Sequence, residues 1–393
     1  MVRKICFQAL FIIVLLAAGV PGLVDPQPAV SQETVKGRTV IGAVLDLTGQ
    51  GAARGRHARD ALLLEESRIN QGRPASLARI QLVLIDSEGK TEGATKAVKR
   101  LAGEFGATAI IGPAEREATL AAALEAEKAR IPLASLIAPE ALLRPVRKWV
   151  FSTAHPVSLA VGRVFSHISL RGFRRIAILA SGKALGREGR EILSGLAPDR
   201  GLSILLNERF SEKEHNFLPF LQKSHLRGAQ AFLHWSNGAS RLALARARLA
   251  LDIRIPIYLS TVVSKSYELE GRGRAVEGLT FPVPRVFAAE LLTENTPGRE
   301  QIQKFRSDFR RRFGQLPDGL AGYAADAFRI IGKTLAGSPR RGLVRRRIET
   351  MGTYQGLTGI FRITPSDHNG LNPHSLVLVK IKEGKWALAE TKK

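Results

Sequence analysis

Strand signals and helix signals alternate twice over between Thr39 and Ser260, and this alternation limits the fold more than any other feature of the chain. In the first run, Thr39–Leu45 is β-branched and apolar, and a Gly-rich turn from Gly49 to Gly55 follows it. Helix Ala58–Ile69, strand Ile80–Asp86, helix Thr91–Glu104 and strand Thr108–Ile111 come next, then the Ala-rich helix Glu115–Ala129 and strand Pro132–Ser135. In the second run, Val161, Val164, Phe165 and Ile168 fall at i, i+3, i+4 and i+7, which marks one buried helix face. Strand Ile176–Ala180, helix Gly186–Leu196, strand Ser203–Phe210 and helix Phe217–Leu226 follow. Strand Ala231–Trp235, helix Ser240–Leu251 and strand Ile257–Ser260 complete the run. Continuous apolar strands such as Ile176–Ala180 belong to sheets covered by helices on both faces. Alternating strands and helices of this length imply parallel sheets with right-handed crossovers.

The pattern changes after Leu279. Ile302, Phe305, Phe309 and Phe313 line one helix, and Ala324, Ala327, Phe328, Ile331 and Leu335 line another. The end is strand-rich, with Gly359–Ile363, Ser375–Ile381 and Lys385–Leu388. The loop Pro365–Gly370 is expected to join the first two as a hairpin, on the Asn369-Gly370 turn signal. A chain of 393 residues suffices for two domains, and this order implies that it crosses between them more than twice.

Arg3 and Lys4 precede an apolar run, Ile5–Gly19, that is too short to span a bilayer, so residues 1–31 read as a signal peptide. Ala29 and Ser31 offer a cleavage site before Gln32. The single cysteine, Cys6, starts that apolar run and does not end it, unlike the cysteine of a lipoprotein cleavage site, so the exported chain is expected to have no thiol, disulfide or cysteine metal site. Lys and Arg number 59 against 35 Asp and Glu, a net charge of +24. Nucleic acid is the reflex partner for such a charge. The leader argues against it, and so does the interspersion of acids, as in Arg187-Glu188-Gly189-Arg190-Glu191. The charge fits a solvated basic face, attraction to an anionic envelope surface, steering of an anionic ligand or adaptation to an acidic exterior, and the sequence does not separate these. Export and alternating α/β structure together favour capture of a small molecule outside the membrane.

Four stretches carry a family resemblance. They are Ile41–Gly49 with its Leu47-Thr48-Gly49 ending and the later Gly55; Ala109-Ile110-Ile111-Gly112-Pro113; Val150-Phe151-Ser152-Thr153; and Tyr354–Gly359 followed by Phe361. In this order and spacing the chain resembles the type I periplasmic binding proteins, specifically the Leu/Ile/Val-binding-like components of ABC importers. The resemblance implies an α/β fold of two Rossmann-like parallel-sheet lobes joined by a three-crossover hinge, with ligand in the cleft between them. The crossovers would lie near Ser152, near Phe281-Pro282 and near Gly356-Leu357. Lobe one would be 38–152 plus 283–356, and lobe two 153–282 plus 357–393. The implied partners are a small-molecule ligand and an inner-membrane ABC permease, with the protein monomeric, periplasmic and without cofactor or metal.

Ligand groups are expected on loops at the carboxyl ends of the parallel strands, where helix N-termini face the crevice. In amino-acid-binding members a Ser and a Thr of lobe one hold the carboxylate, and an acid of lobe two holds the ammonium. Here the first hydroxyl position falls on or near Arg116, Ala134-Ser135-Leu136-Ile137 follows the next strand, and Ser260-Thr261-Val262-Val263 offers no carboxylate. A buried ammonium without an anion is costly, so a free α-amino acid is disfavoured. Uncharged, aromatic or anionic small molecules are favoured over it. Arg116 is the sharpest candidate, as a carboxylate clamp; the competing reading pairs it with Glu115 or Glu117. Trp235 offers a stacking surface and Asn237 a hydrogen bond, and His155 lies just past the first crossover. Thr48, Gln50, Ser135 and Thr261 are polar groups at strand ends that either line the cleft or bond within their own turns.

Gly182-Lys183-Ala184-Leu185-Gly186 lacks the spacing of a phosphate loop and falls where the family has a lobe-two cleft loop. Glu212, Glu214, His215 and His225 lack metal-ligand spacing, and no Gly-x-Ser-x-Gly elbow supports a hydrolase. Two readings of the chain stay open: a solute-capture subunit of an importer, or an envelope interaction or sensor module with the same bilobed fold and no transported ligand.

Overall fold

The computed structural model describes residues 38–389, except 75, 237–239, 262–268, 270–271 and 338–339. The expected signal peptide, residues 1–31, and the candidate Asn237 lie outside the described residues.

The first sheet has strands β1 (Thr39–Leu45), β2 (Ile80–Asp86), β3 (Ala109–Ile111), β4 (Leu133–Ser135) and β5 (Val150–Ser152), in the order β2-β1-β3-β4-β5. All of its pairings are parallel. Between the strands run α1 (Ala52–Gln71), α2 (Thr91–Gly103), α3 (Arg116–Ala129) and the short α4 (Glu140–Leu143). β1 shows why the sheet needs helices on both faces. Ile41, Ala43 and Leu45 enter one apolar cluster together with α1, while Val40 and Val44 enter another together with α2 and α3.

The second sheet has strands β6 (Arg175–Ser181), β7 (Ser203–Phe210), β8 (Ala231–Trp235), β9 (Ile257–Leu259) and β10 (Thr280–Pro284). Its helices are α5 (Val157–Leu170), α6 (Ala184–Leu196), α7 (Leu218–Leu226) and α8 (Ser240–Ala250). The parallel part runs β7-β6-β8-β9-β10, the same order as the first sheet. Successive residues of β6 again divide between two clusters, with Ile176 and Ile178 on one side and Ala177 and Leu179 on the other.

After β10 the chain returns to the first lobe as α9 (Arg299–Phe313), α10 (Gly319–Thr334) and α11 (Arg341–Glu349). Phe305, Phe309, Phe328 and Ile331 fill the same cluster as β1 and α1. Asp318 caps α10, its carboxylate accepting the Ala321 N–H at 2.9 Å. β11 (Thr353–Gln355) and β12 (Ile360–Arg362) form a separate antiparallel pair. β13 (Leu376–Lys382) then extends the second sheet antiparallel to β10, and β14 (Lys385–Leu388) pairs antiparallel with β13.

One sequence expectation changes here. The hairpin of Gly359–Ile363 with Ser375–Ile381 does not form: β12 pairs with β11, and β13 pairs with β10 and β14. The Asn369-Gly370 step serves a tertiary contact instead, with Asn369 Nδ2 donating to the carbonyls of Ser152 (3.0 Å) and Ala154 (2.8 Å). Leu357, Phe361, Ile363 and Leu371 pack into the same apolar cluster as β1 and α1, and Phe281 and Val283 of β10 pack with Ala177 and Leu179 of β6.

Candidate functional site

The carboxyl ends of the two parallel sheets face a cavity of about 440 Å³. The first lobe supplies the residues after β3 and β4, namely Ala114 to Arg116 and Leu136 to Pro139. α10 adds Asp318, Leu320 and Tyr323 at its start. The segment between β5 and α5 contributes Ala154 and His155, and α5 adds its first residue, Val157. The second lobe supplies Lys183, Leu185 and Glu188 around the start of α6, Trp235 at the end of β8, and Ser260 and Thr261 after β9. These are the loop positions where α/β sheets gather their ligand groups, and the walls are largely aliphatic or aromatic.

The cationic groups of the lining are each paired with a carboxylate. Arg116 Nη1, at the start of α3, donates to Glu188 Oε2 of α6 at 2.5 Å. The other oxygen of Glu188 accepts the backbone N–H of Glu140 in α4 at 2.7 Å. Glu140 Oε1 in turn accepts the N–H of Ser158 in α5 at 3.1 Å. Three hydrogen bonds thus span the lobes. Arg54 pairs with Glu115, and Lys183 with Glu212 at 2.5 Å. Asp318 is buried, and burial pushes its carboxyl above the usual range.

Neutral polar groups cluster at the passage after β5. His155 Nδ1 and Tyr323 Oη share a hydrogen bond of 2.9 Å, and Thr153 Oγ1 donates to the Tyr323 carbonyl at 2.9 Å. Burial pushes His155 down to about 3, so it is an uncharged imidazole at neutral pH. The same burial raises the Tyr323 phenol, which stays protonated.

Four of the sequence candidates, Arg116, His155, Trp235 and Thr261, line this cavity. Three others do not. Ser135 is buried, and its hydroxyl donates to the Ile137 carbonyl at 2.6 Å, holding the turn that presents the apolar Leu136–Pro139 wall. Thr48 Oγ1 donates to Asp86 at 2.7 Å, away from the lining, and Gln50 is exposed. Arg116 pairs with neither Glu115 nor Glu117 but with Glu188, 72 positions along the chain. Glu188, Asp318 and Tyr323 are lining residues that sequence reasoning missed. Glu188 sits in a mixed-charge run and Tyr323 in a helix that reads as core, so neither carries a local signal.

The family model for periplasmic binding proteins matches residues 39–385. No curated protein sequence matches the chain. An extracellular ligand-binding receptor from Rhodopseudomonas palustris HaA2 is 20% identical, with a TM-score of 0.75, over 90% of this chain and 99% of that one. A putative branched-chain amino acid ABC transporter protein from Rhodospirillum rubrum is 20% identical, with a TM-score of 0.76, over 90% and 100%. An ABC transporter substrate-binding protein from Desulfitobacterium hafniense, complexed with Leu, is 18% identical, with a TM-score of 0.71, over 90% and 100%. At these identities the solved structures show a common fold. The chain belongs to the periplasmic binding protein family and has its type I, two-lobe fold.

Proposed function

We propose that this member of the periplasmic binding protein family is a solute-binding protein, not an enzyme. It captures a small molecule between its lobes and delivers it to the permease of an ABC importer. The observation that carries the reading is the cavity itself: about 440 Å³, built from both lobes, with largely apolar walls and a few convergent polar groups. One structure of the same fold bears the name of an ABC transporter substrate-binding protein complexed with Leu, and another that of a branched-chain amino acid ABC transporter.

In this proposal the first lobe comprises residues 38–152 and about 285–371, and the second the remainder of the described chain. The lobes close about the passages near Ser152, Pro284 and Pro373. Closure requires that the solute bind the closed arrangement better than the open one. Residues 1–31 serve as the export leader, and the mature protein acts as a periplasmic monomer. Arg116, His155, Trp235, Thr261, Tyr323 and Glu188 form the binding surface.

A second reading, an envelope interaction or sensor module of the same fold, is favoured by one observation: side chains of the cleft, Arg116 with Glu188 and Glu140 with the Ser158 N–H, tie the lobes together. Thermal-shift screening of residues 32–393 separates the two. The panel is branched-chain and aromatic amino acids, aromatic carboxylates, short amides and urea. A ligand that binds only the native state raises the melting temperature by mass action. A rise with one chemical class supports capture, and no rise across the panel favours the interaction module.

A further inference from the structure

The cationic side chains that line the cavity, Arg54, Arg116 and Lys183, each have a protein carboxylate as partner. The Arg116 pair differs from the other two. Arg54 and Lys183 are about half exposed or more and pair at the rim, with side-chain exposures of 47% and 66%. Arg116 and Glu188 are 29% and 11% exposed, and the pair joins the two lobes. Glu188 is held by a guanidinium N–H on one oxygen and a backbone N–H on the other. A guanidinium and a backbone amide converging on one carboxylate make the recognition set that a carboxylate ligand would require. Here a side chain of the second lobe fills it.

We propose that Glu188 is a specificity-determining residue: it seats its own carboxylate on Arg116 and the Glu140 amide, and so restricts the cleft to solutes that are uncharged where they face Arg116. The preferred class is an aromatic or branched apolar amide or a similar neutral compound, ahead of the matching carboxylate or free α-amino acid. This inference rests on the solute-capture reading. A carboxylate solute would have to displace Glu188 and leave that charge in a mostly buried setting without its partner, which is unfavourable. A neutral solute keeps the pair and gains the apolar walls formed by Leu136, Ile137, Ala154, Leu185 and Leu320. Its acceptor or donor can engage the Tyr323–His155 pair.

The test uses matched probes, benzamide with benzoate and 4-methylpentanamide with 4-methylpentanoate, titrated calorimetrically at pH 7 into wild type, Glu188→Gln, Glu188→Ala and the double variant Glu188→Gln with Arg116→Ala. Melting temperatures without ligand check that each variant folds. Wild type should bind the amide of a pair at least tenfold tighter than the carboxylate. Glu188→Gln, which keeps an acceptor for the Glu140 N–H but removes the charge, should lower that ratio at least tenfold by releasing Arg116 to the carboxylate. The double variant should lose that gain, a result that a merely structural role for Glu188 would not produce. A wild type that prefers the carboxylate, or a ratio unchanged in both Glu188 variants, overturns the proposal. If neither the probes nor the wider panel binds wild type or any variant, the capture reading fails, and the specificity role falls with it.

Discussion

The indole of Trp235 packs against Gly189 of α6 so closely that a β-carbon built on the glycine would lie 1.8 Å from Cδ1 and 2.2 Å from Nε1. The ring is 1% exposed, buried between the end of β8 and the helix that carries Glu188, and it also lines the cavity. A bulky aromatic at this strand end is therefore accommodated only because its neighbour has no side chain.

Gly189→Ala forces the indole or the helix to move. The expected outcome is a loss of about 1–3 kcal/mol, as for overpacking in a filled core, with a shift in tryptophan emission and weaker binding of any cleft ligand. Urea unfolding followed by fluorescence checks this. Wild-type stability and an unshifted spectrum would show that the contact is slack.

Gly55 in α1 makes a comparable approach to the backbone. A β-carbon there would fall 1.9 Å from the Asp46 carbonyl oxygen at the end of β1, an atom that cannot swing aside. Gly55→Ala should destabilise the protein by roughly 2 kcal/mol or more. Gly195, in α6, has nothing within 4 Å of the corresponding position. Gly195→Ala should instead stabilise by up to about 1 kcal/mol through helix propensity and lost unfolded-state freedom. The opposite signs in chemical denaturation are the check; equal effects at the two sites would contradict the packing argument.

His234 is fully buried in β8, stacked on Phe210 at 5.1 Å and edge-on to Phe217 at 5.6 Å. Burial, and secondarily the charge of Arg241, pushes it down to about 3. Below the unfolded value near 6.5, the unfolded chain takes up a proton that the folded one refuses. Stability present above that pH is therefore lost as pH falls toward 3. For one such group the loss between pH 7 and pH 5 is about 2 kcal/mol. His234→Phe should remove that share of the acid sensitivity, and His155 keeps its own. Urea midpoints at the two pH values measure it, and an identical pH slope in the variant would mean that His234 titrates normally in the fold.

Tyr323→Phe removes the hydroxyl bonded to His155 Nδ1. Leaving a buried imidazole nitrogen unpaired should cost about 1–2 kcal/mol, and a neutral hydrogen-bonding solute should bind more weakly. Thermal melts with and without the best ligand separate the two effects. Unchanged melting in both would place this pair outside the stability and the site alike.

The lobes are legible in the sequence because each strand buried on both faces is an apolar run, as at Ile176–Ala180, and each helix closes at a period that hides one face. The last passage was harder. Asn369-Gly370 has the local form of a hairpin turn, yet its side chain is committed to carbonyls about 215 positions earlier, Ser152 and Ala154. Local turn chemistry cannot report such a partner. The site divides along the same line. Arg116, His155, Trp235 and Thr261 follow strand ends or a crossover and can be placed from order alone, whereas Ser135 and Thr48 share that position but spend their hydroxyls on nearby groups. Glu188 and Tyr323 reach the cavity only because two lobes meet, and pairing at that distance leaves no mark in spacing.

The central claim is that the interlobe cavity holds a solute. Calorimetric titration of residues 32–393 with the best neutral compound from the panel, run beside Ala154→Trp, tests it most directly. Ala154 lines the cavity and is 3% exposed, so an indole there fills the space a ligand would take. One-to-one binding with a negative heat-capacity change, abolished in a folded Ala154→Trp variant, is the predicted result. Absence of binding heat across the panel, or affinity that survives the filled cavity unchanged, would contradict the account.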